Sequence, residues 1–204
     1  MIITSEFLRA QGWVQWKEWA EILRPVLSKY NITSPSRVAM FIANTGHESA
    51  GGKFLVENLN YKPEALLAVW PSKFTPDYAQ EVGRTSSHPA DQAAIAEAAY
   101  GGRMGNIYPG DGWKFRGRGL MQTTGRDNYT RLAKIVNKPV DDVVCWLETK
   151  EGAAESAGAF WFWADCNKHA DVPDIERCRR LINGGLNGID DVKARYQKAI
   201  LTPA

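Results

Sequence analysis

Apolar positions along the chain recur with helical spacing, and runs that alternate like strands are scarce. Trp16, Trp19, Ala20 and Leu23 fall on one face, with Lys17, Glu18 and Glu21 between them, which predicts a helix over 14–24. Ser34 followed by Pro35 has the form of a helix cap with proline at the first helical position. The helix it opens carries Val38, Phe41, Ile42 and Thr45 on one face, runs into His47-Glu48, and should stop at Gly51-Gly52. Pro63 predicts a short helix over 64–69, and His88-Pro89 another through Ala99, closed by Gly101-Gly102. Further helices are expected over 126–136, 140–147, 151–163, 174–182 and 189–200. The segment 151–163 is alanine-rich and ends in Phe160, Trp161 and Trp163, so it reads as a central buried helix. The fold class that follows is all-α, with irregular segments at 49–62 and 101–125.

Between 101 and 119 the pattern changes. Gly101, Gly102, Gly105, Gly110, Gly112, Gly117 and Gly119 crowd together with Pro109. A long glycine-rich loop in a compact chain is usually functional.

Composition narrows the picture only a little. The 204 residues are 44% hydrophobic and 24% charged, an ordinary globular balance. No internal repeat and no low-complexity tract is present. A net charge of +2, from 25 basic and 23 acidic residues, argues against a nucleic-acid partner. No apolar run approaches the roughly 20 residues that a membrane span needs, and Met1 to Glu6 do not read as a signal peptide. Cys145, Cys166 and Cys178 lack metal-binding spacing and are expected as free, mostly buried thiols in a reducing compartment; the sequence leaves open whether Cys166 and Cys178 pair.

Three segments carry candidate chemistry. The first is Gly46-His47-Glu48-Ser49-Ala50-Gly51-Gly52, after the apolar stretch Met40-Phe41-Ile42-Ala43. A carboxyl at that boundary can face a groove, and partial desolvation would suit it to act as a general acid. An ordinary surface glutamate in the last turn of a helix fits the same residues. Zinc protease chemistry needs a second His four residues after His47, and that place holds Gly51, so no metal is expected. The second segment runs from Phe115 to Tyr129. Its glycines permit close approach of backbone to a ligand, and Gln122, Thr124 and Asn128 offer neutral groups suited to sugar hydroxyls. Arg116, Arg118 and Arg126 suggest phosphate, but the P-loop spacing is absent. The third segment, Leu181 to Gly188, contains Ile182-Asn183-Gly184-Gly185 and reads by itself as a helix end and turn.

In this order the three segments resemble glycoside hydrolase family 19: its chitinases and, more closely, the related phage endolysins. The resemblance rests on His47-Glu48-Ser49-Ala50-Gly51-Gly52, on Phe115 through Tyr129, and on Ile182 to Gly185, and it covers about residues 35–200. Glu57-Asn58-Leu59-Asn60-Tyr61 and Tyr100 to Asn106 look like the endolysin branch.

That resemblance implies a lysozyme-like superfamily fold with two helical lobes around a substrate groove. The expectation is one catalytic domain over 1–204, with a larger lobe at roughly 1–47 and 114–204, a smaller lobe at roughly 48–113, and no separate wall-binding module. It implies Glu48 as general acid, a second carboxylate as base, and Thr124 as the residue that positions the water. His47, Tyr61, Gln122, Asn128, Asn183 and Arg195 are expected along the sugar cleft.

The second carboxylate departs from the plant-type pattern, whose segment this chain lacks. Glu57 is the best candidate, with Glu64, Asp111 and Glu97 behind it. On one continuous helix an offset of nine residues turns through about 900°, placing Glu48 and Glu57 on opposite faces. The break at Gly51-Gly52 lets the chain fold back and set the two carboxyls across a groove, at the roughly 6.5–9.5 Å an inverting enzyme wants.

The expected activity is hydrolysis of the β-1,4 bond in peptidoglycan by a monomeric endolysin without cofactors. It would wait in the bacterial cytoplasm, depend on a separate pore for release, and act on the periplasmic cell wall. A chitinase, a lytic transglycosylase and a wall-binding module without activity are the alternatives.

Overall fold

The computed structural model describes residues 3–203. In chain order its helices are α1 (Ser5–Ala10), α2 (Trp16–Lys29), α3 (Pro35–Glu48), α4 (Pro63–Val69), α5 (Pro76–Val82), α6 (Gln92–Tyr100), α7 (Asp111–Lys114), α8 (Arg126–Val136), α9 (Val140–Trp146), α10 (Lys150–Trp163), α11 (Cys166–Asp171), α12 (Ile175–Asn183) and α13 (Ile189–Leu201). The only extended pairing among the described residues is a pair of isolated antiparallel bridges, Val56 with Arg118 and Arg118 with Thr123. The chain is all-α, as the periodicity predicts.

Side-chain caps fix where helices begin. The Ser34 hydroxyl accepts from the Arg37 N–H ahead of Pro35, and Thr75, Asp91, Thr149 and Asp174 cap their helices in the same way. Asp91 also explains one difference from the expected pattern. The helix expected to open at His88-Pro89 starts at Gln92, because Thr85 to His88 form a turn of their own and the capping oxygen belongs to Asp91. Helices α1, α5, α7 and α11 were not predicted; each has seven residues or fewer, too short to show a helical period.

Two hydrophobic clusters form. The larger one centres on α3, where Val38 to Gly46 are all buried. It gathers Trp19, Phe41, Trp161 and the alanines of α10, and the Phe41 and Trp161 rings meet edge to face at 5.4 Å. Truncating either ring to alanine would cost about 3–5 kcal/mol. The smaller cluster draws Leu59, Leu66, Phe74, Val82 and Ile95 from the segment between α3 and the glycine-rich loop. Helix α10 departs from the expected full burial at its end: Phe162 and Trp163 point outward, 63% and 50% exposed. Cys166 and Cys178 are buried, unbonded thiols, whereas Cys145 is exposed.

The loop before α8 is pinned by charge. Arg126 grips Asp111 through two nitrogens, and its own N–H donates to the Asn106 side chain. Arg118, buried, donates to Glu148, to the Lys114 carbonyl and to the Tyr129 hydroxyl. Arg118 and Arg126, two of the arginines that suggested phosphate, are thus engaged with carboxylates.

Candidate functional site

Glu48 is the last residue of α3, with its side chain 16% exposed. The helix stops there because the chain must turn sharply. The Ser49 hydroxyl donates back to the Thr45 carbonyl and accepts from the Gly52 N–H. Gly51 and Gly52 then adopt φ of +70° and +74°. Glycine is required at both: a Cβ on Gly51 would lie 2.6 Å from the Gly12 carbonyl, and one on Gly52 would lie 2.4 Å from Trp19 Nε1.

The apolar shelter expected for the Glu48 carboxyl gives way to a charged partner. Arg179, only 1% exposed, donates from Nη1 to Glu48 Oε1 at 2.5 Å, and its Nε donates to the Asn187 carbonyl at 2.7 Å. Beside them His47 Nδ1 and Arg195 Nε share one oxygen of Asp191, each at 2.7 Å. Gly188 packs directly on the His47 ring, leaving no space for a side chain. This explains why the first and third sequence segments belong together: α12, its following turn and α13 clamp the end of α3. Burial pushes the Asp191 carboxyl up, but the hydrogen bonds from Arg195 and His47 outweigh it and hold the group below its ordinary range.

Glu57 reaches the site by backbone pairing. Its N–H donates to the Gly117 carbonyl at 2.9 Å, and the Gly119 N–H donates to the Leu55 carbonyl at 2.8 Å. The carboxylate is held at both oxygens: Gly117 N–H donates to Oε2 at 3.0 Å, and the Tyr100 hydroxyl donates to Oε1 at 2.5 Å. Burial, then the adjacent Glu57 charge, pushes the Tyr100 hydroxyl far up, so it stays a proton donor. Tyr61 is also pushed up by burial and by Glu57, which places it in the same neighbourhood.

Gln122, Thr124, Asn128 and Asn183 line one cavity of about 620 Å³. The first three are linked in series: the Thr124 hydroxyl donates to the Gln122 carbonyl at 2.9 Å, and the Asn128 amide donates to the Thr124 carbonyl at 2.8 Å. Neither carboxylate is part of that lining. Glu57 adjoins it through Gly117: a Cβ there would sit 2.9 Å from Gln122 Oε1 and 3.3 Å from Glu57 Oε2. Glu48 is held by Arg179, whose neighbour in sequence, Arg180, is part of the lining.

The predicted residues therefore fall into three groups: Gln122, Thr124, Asn128 and Asn183 on the cavity; His47, Glu48 and Arg195 at the α3 end; Glu57 and Tyr61 beside the loop. Two of the other candidate bases have structural roles: Asp111 is bound to Arg126, and Glu97 accepts from the Gly112 N–H. Sequence reasoning missed Arg179, Tyr100 and Asp191. Arg179 did leave a signal. It stands in the stripe Ile175, Cys178, Arg179, Ile182, an arginine where α12 should be apolar. Among the described residues no cluster of three or more His, Cys, Asp or Glu could hold a metal ion, and no helix is long and apolar enough to cross a membrane.

No family model matches the chain. A curated protein of Haemophilus influenzae, a glycosyl hydrolase family 19 domain-containing protein, is 35% identical over 180 residues, spanning 86% of this chain and 84% of that one. Chitinase C from Streptomyces griseus superimposes with a TM-score of 0.58 at 16% identity, over 97% of this chain and 74% of that one. A bacterial family 19 chitinase gives 0.58 at 18% identity, over 100% of this chain and 98% of that one. At these identities the two structures speak for the fold.

Proposed function

The chain belongs to glycoside hydrolase family 19, and from that premise we propose that it is an endolysin of muramidase type, cutting the β-1,4 bond between N-acetylmuramic acid and N-acetylglucosamine. The observation that carries this reading is the pair Glu48 and Glu57: two carboxylates from separate segments, each held by strong donors, with Glu57 beside a cavity whose lining includes the neutral groups of Gln122, Thr124, Asn128 and Asn183.

The reaction needs one proton given and one taken. Glu48 protonates the glycosidic oxygen as the bond from that oxygen to the sugar's anomeric carbon breaks. Glu57 takes a proton from a water that Thr124 positions, and the water oxygen bonds to the anomeric carbon from the opposite face. The product is inverted, and the two carboxyls have exchanged protonation states until solvent resets them. Gln122, Asn128 and Asn183 hold sugar hydroxyls and amides. His47 and Arg195 brace the end of α3 through Asp191, and Tyr61 lies on the Glu57 side. No cofactor is needed. The enzyme acts as a monomer, accumulates in the bacterial cytoplasm and reaches the periplasmic wall through a separate pore.

A chitinase is the second reading, favoured by the names of the proteins with the same fold. What favours a peptidoglycan strand is the resemblance of residues 57–61 and 100–106 to the endolysin branch. Digestion of purified peptidoglycan and purified chitin, with mass spectrometry of the released ends, separates the readings. Muramic acid at new reducing ends supports the proposal. Cleavage of chitin alone assigns the chitinase, and 1,6-anhydro ends assign a lytic transglycosylase.

A further inference from the structure

The cavity that contains Gln122, Thr124, Asn128 and Asn183 extends past them into a region that neutral sugars do not explain. Its lining also includes Arg131 on α8, Arg180 on α12 and Asp165 between α10 and α11, together with the apolar side chains of Leu132 and Phe160. The guanidinium of Arg131 lies 4.5 Å over the ring of Trp163, which is itself half exposed and part of the same lining. Arg118, Arg126 and Arg179, which hold the loop and the site together, are each matched to a carboxylate. Among the described residues Arg131 and Arg180 form no ion pair, although both face one cavity.

We propose that this end of the cavity is a subsite for the acidic peptide branch of a peptidoglycan strand, with Arg131 and Arg180 pairing with carboxylates of the branch. The inference rests on the reading of the chain as a peptidoglycan hydrolase. Chitin carries no carboxylate, so two unmatched guanidiniums would gain nothing from it. A peptide branch alternates small apolar side chains with carboxylates, which fits a lining that combines apolar side chains with arginines. Arginine suits the task because its planar fork binds a carboxylate through two parallel hydrogen bonds. Asp165 is part of the same lining and offers a carboxylate to an amino group of the branch. Continuity with Gln122 and Thr124 means that a strand seated for cleavage would lay its branch in this end of the cavity.

The test compares KM for strands bearing their peptides with KM for the same strands stripped by an amidase, using wild type, the double variant Arg131→Gln/Arg180→Gln and the double variant Arg131→Lys/Arg180→Lys. Both arginines are exposed, so the folded state should survive substitution. The expected result is a wild-type KM about tenfold lower on peptide-bearing strands, an advantage of roughly 1.4 kcal/mol. The glutamine variant should lose that advantage while matching wild type on stripped strands, and the lysine variant should recover part of it. Equal KM of wild type on both strands, or an equal loss by the glutamine variant on both, overturns the subsite and leaves the hydrolase reading standing. A wild type inactive on both strands overturns that reading and the subsite with it.

Discussion

Glu48 and Arg179 lie 131 positions apart in sequence and meet through a 2.5 Å hydrogen bond at the end of α3. The guanidinium is buried and the carboxyl half-buried, so α12 sets the direction in which Glu48 points. Replacing Arg179 with methionine should therefore cost activity before it costs the fold. A hydrogen bond to a charged group contributes about 1.5–3 kcal/mol, so kcat should drop roughly 10- to 150-fold. Arg179→Lys should restore part of the loss. Steady-state kinetics on solubilised peptidoglycan, alongside a thermal melt, reads both effects.

Tyr100 plays the equivalent part for Glu57. Its hydroxyl donates to Oε1 while the Gly117 N–H holds Oε2. Tyr100→Phe deletes one donor and leaves the ring packed against Trp70. The expected outcome is a fall in kcat of about tenfold, from a loss of roughly 1.4 kcal/mol, with KM little changed. A variant with wild-type kcat would show that Glu57 needs no such anchor.

The Asp111–Arg126 pair predicts a limb in the stability–pH curve. Hydrogen bonding from Arg126 is the main cause that holds the Asp111 carboxyl below its ordinary range. A depressed folded-state value stabilises the protein above the unfolded value, about 3.9, and that contribution is lost as pH falls through the folded value. Stability measured by denaturant titration should decline below about pH 4. Asp111→Asn should lower stability at neutral pH and flatten this decline.

The turn after Glu48 should tolerate no side chain at its second glycine. Gly52→Ala would combine a left-handed backbone with a contact on Trp19 Nε1. Overpacking of this kind costs about 1–3 kcal/mol, which in a chain of this size lowers Tm by roughly 2–12 °C. A melt of the variant checks it.

Much of this was legible in the sequence because the long helices carry their own periodicity and caps. Ser34-Pro35 marks the start of α3, and the glycines after Glu48 mark its end. The short helices α1, α5, α7 and α11 carry too few turns to show a repeat, whereas α4, equally short, is marked by Pro63 at its start. Thr124, Gln122 and Asn128 could be grouped because they are neighbours in sequence. The partners that orient the two carboxylates could not. Arg179 and Tyr100 are brought to Glu48 and Glu57 by tertiary folding, and only the misplaced charge in the apolar stripe of α12 hinted at one of them. Trp163 misled for the opposite reason: its aromatic character suggested core, yet it lies open beside Arg131.

The division of labour between Glu48 and Glu57 is tested most directly by the kcat for reducing-end release from purified peptidoglycan by Glu48→Gln and Glu57→Gln. Glutamine keeps the shape and the accepting oxygen of each side chain but can neither give nor take the proton. Both variants should remain folded and each should lose about 100-fold or more in kcat. Near-wild-type turnover by Glu57→Gln would contradict its role as base, and near-wild-type turnover by Glu48→Gln would contradict the account as a whole.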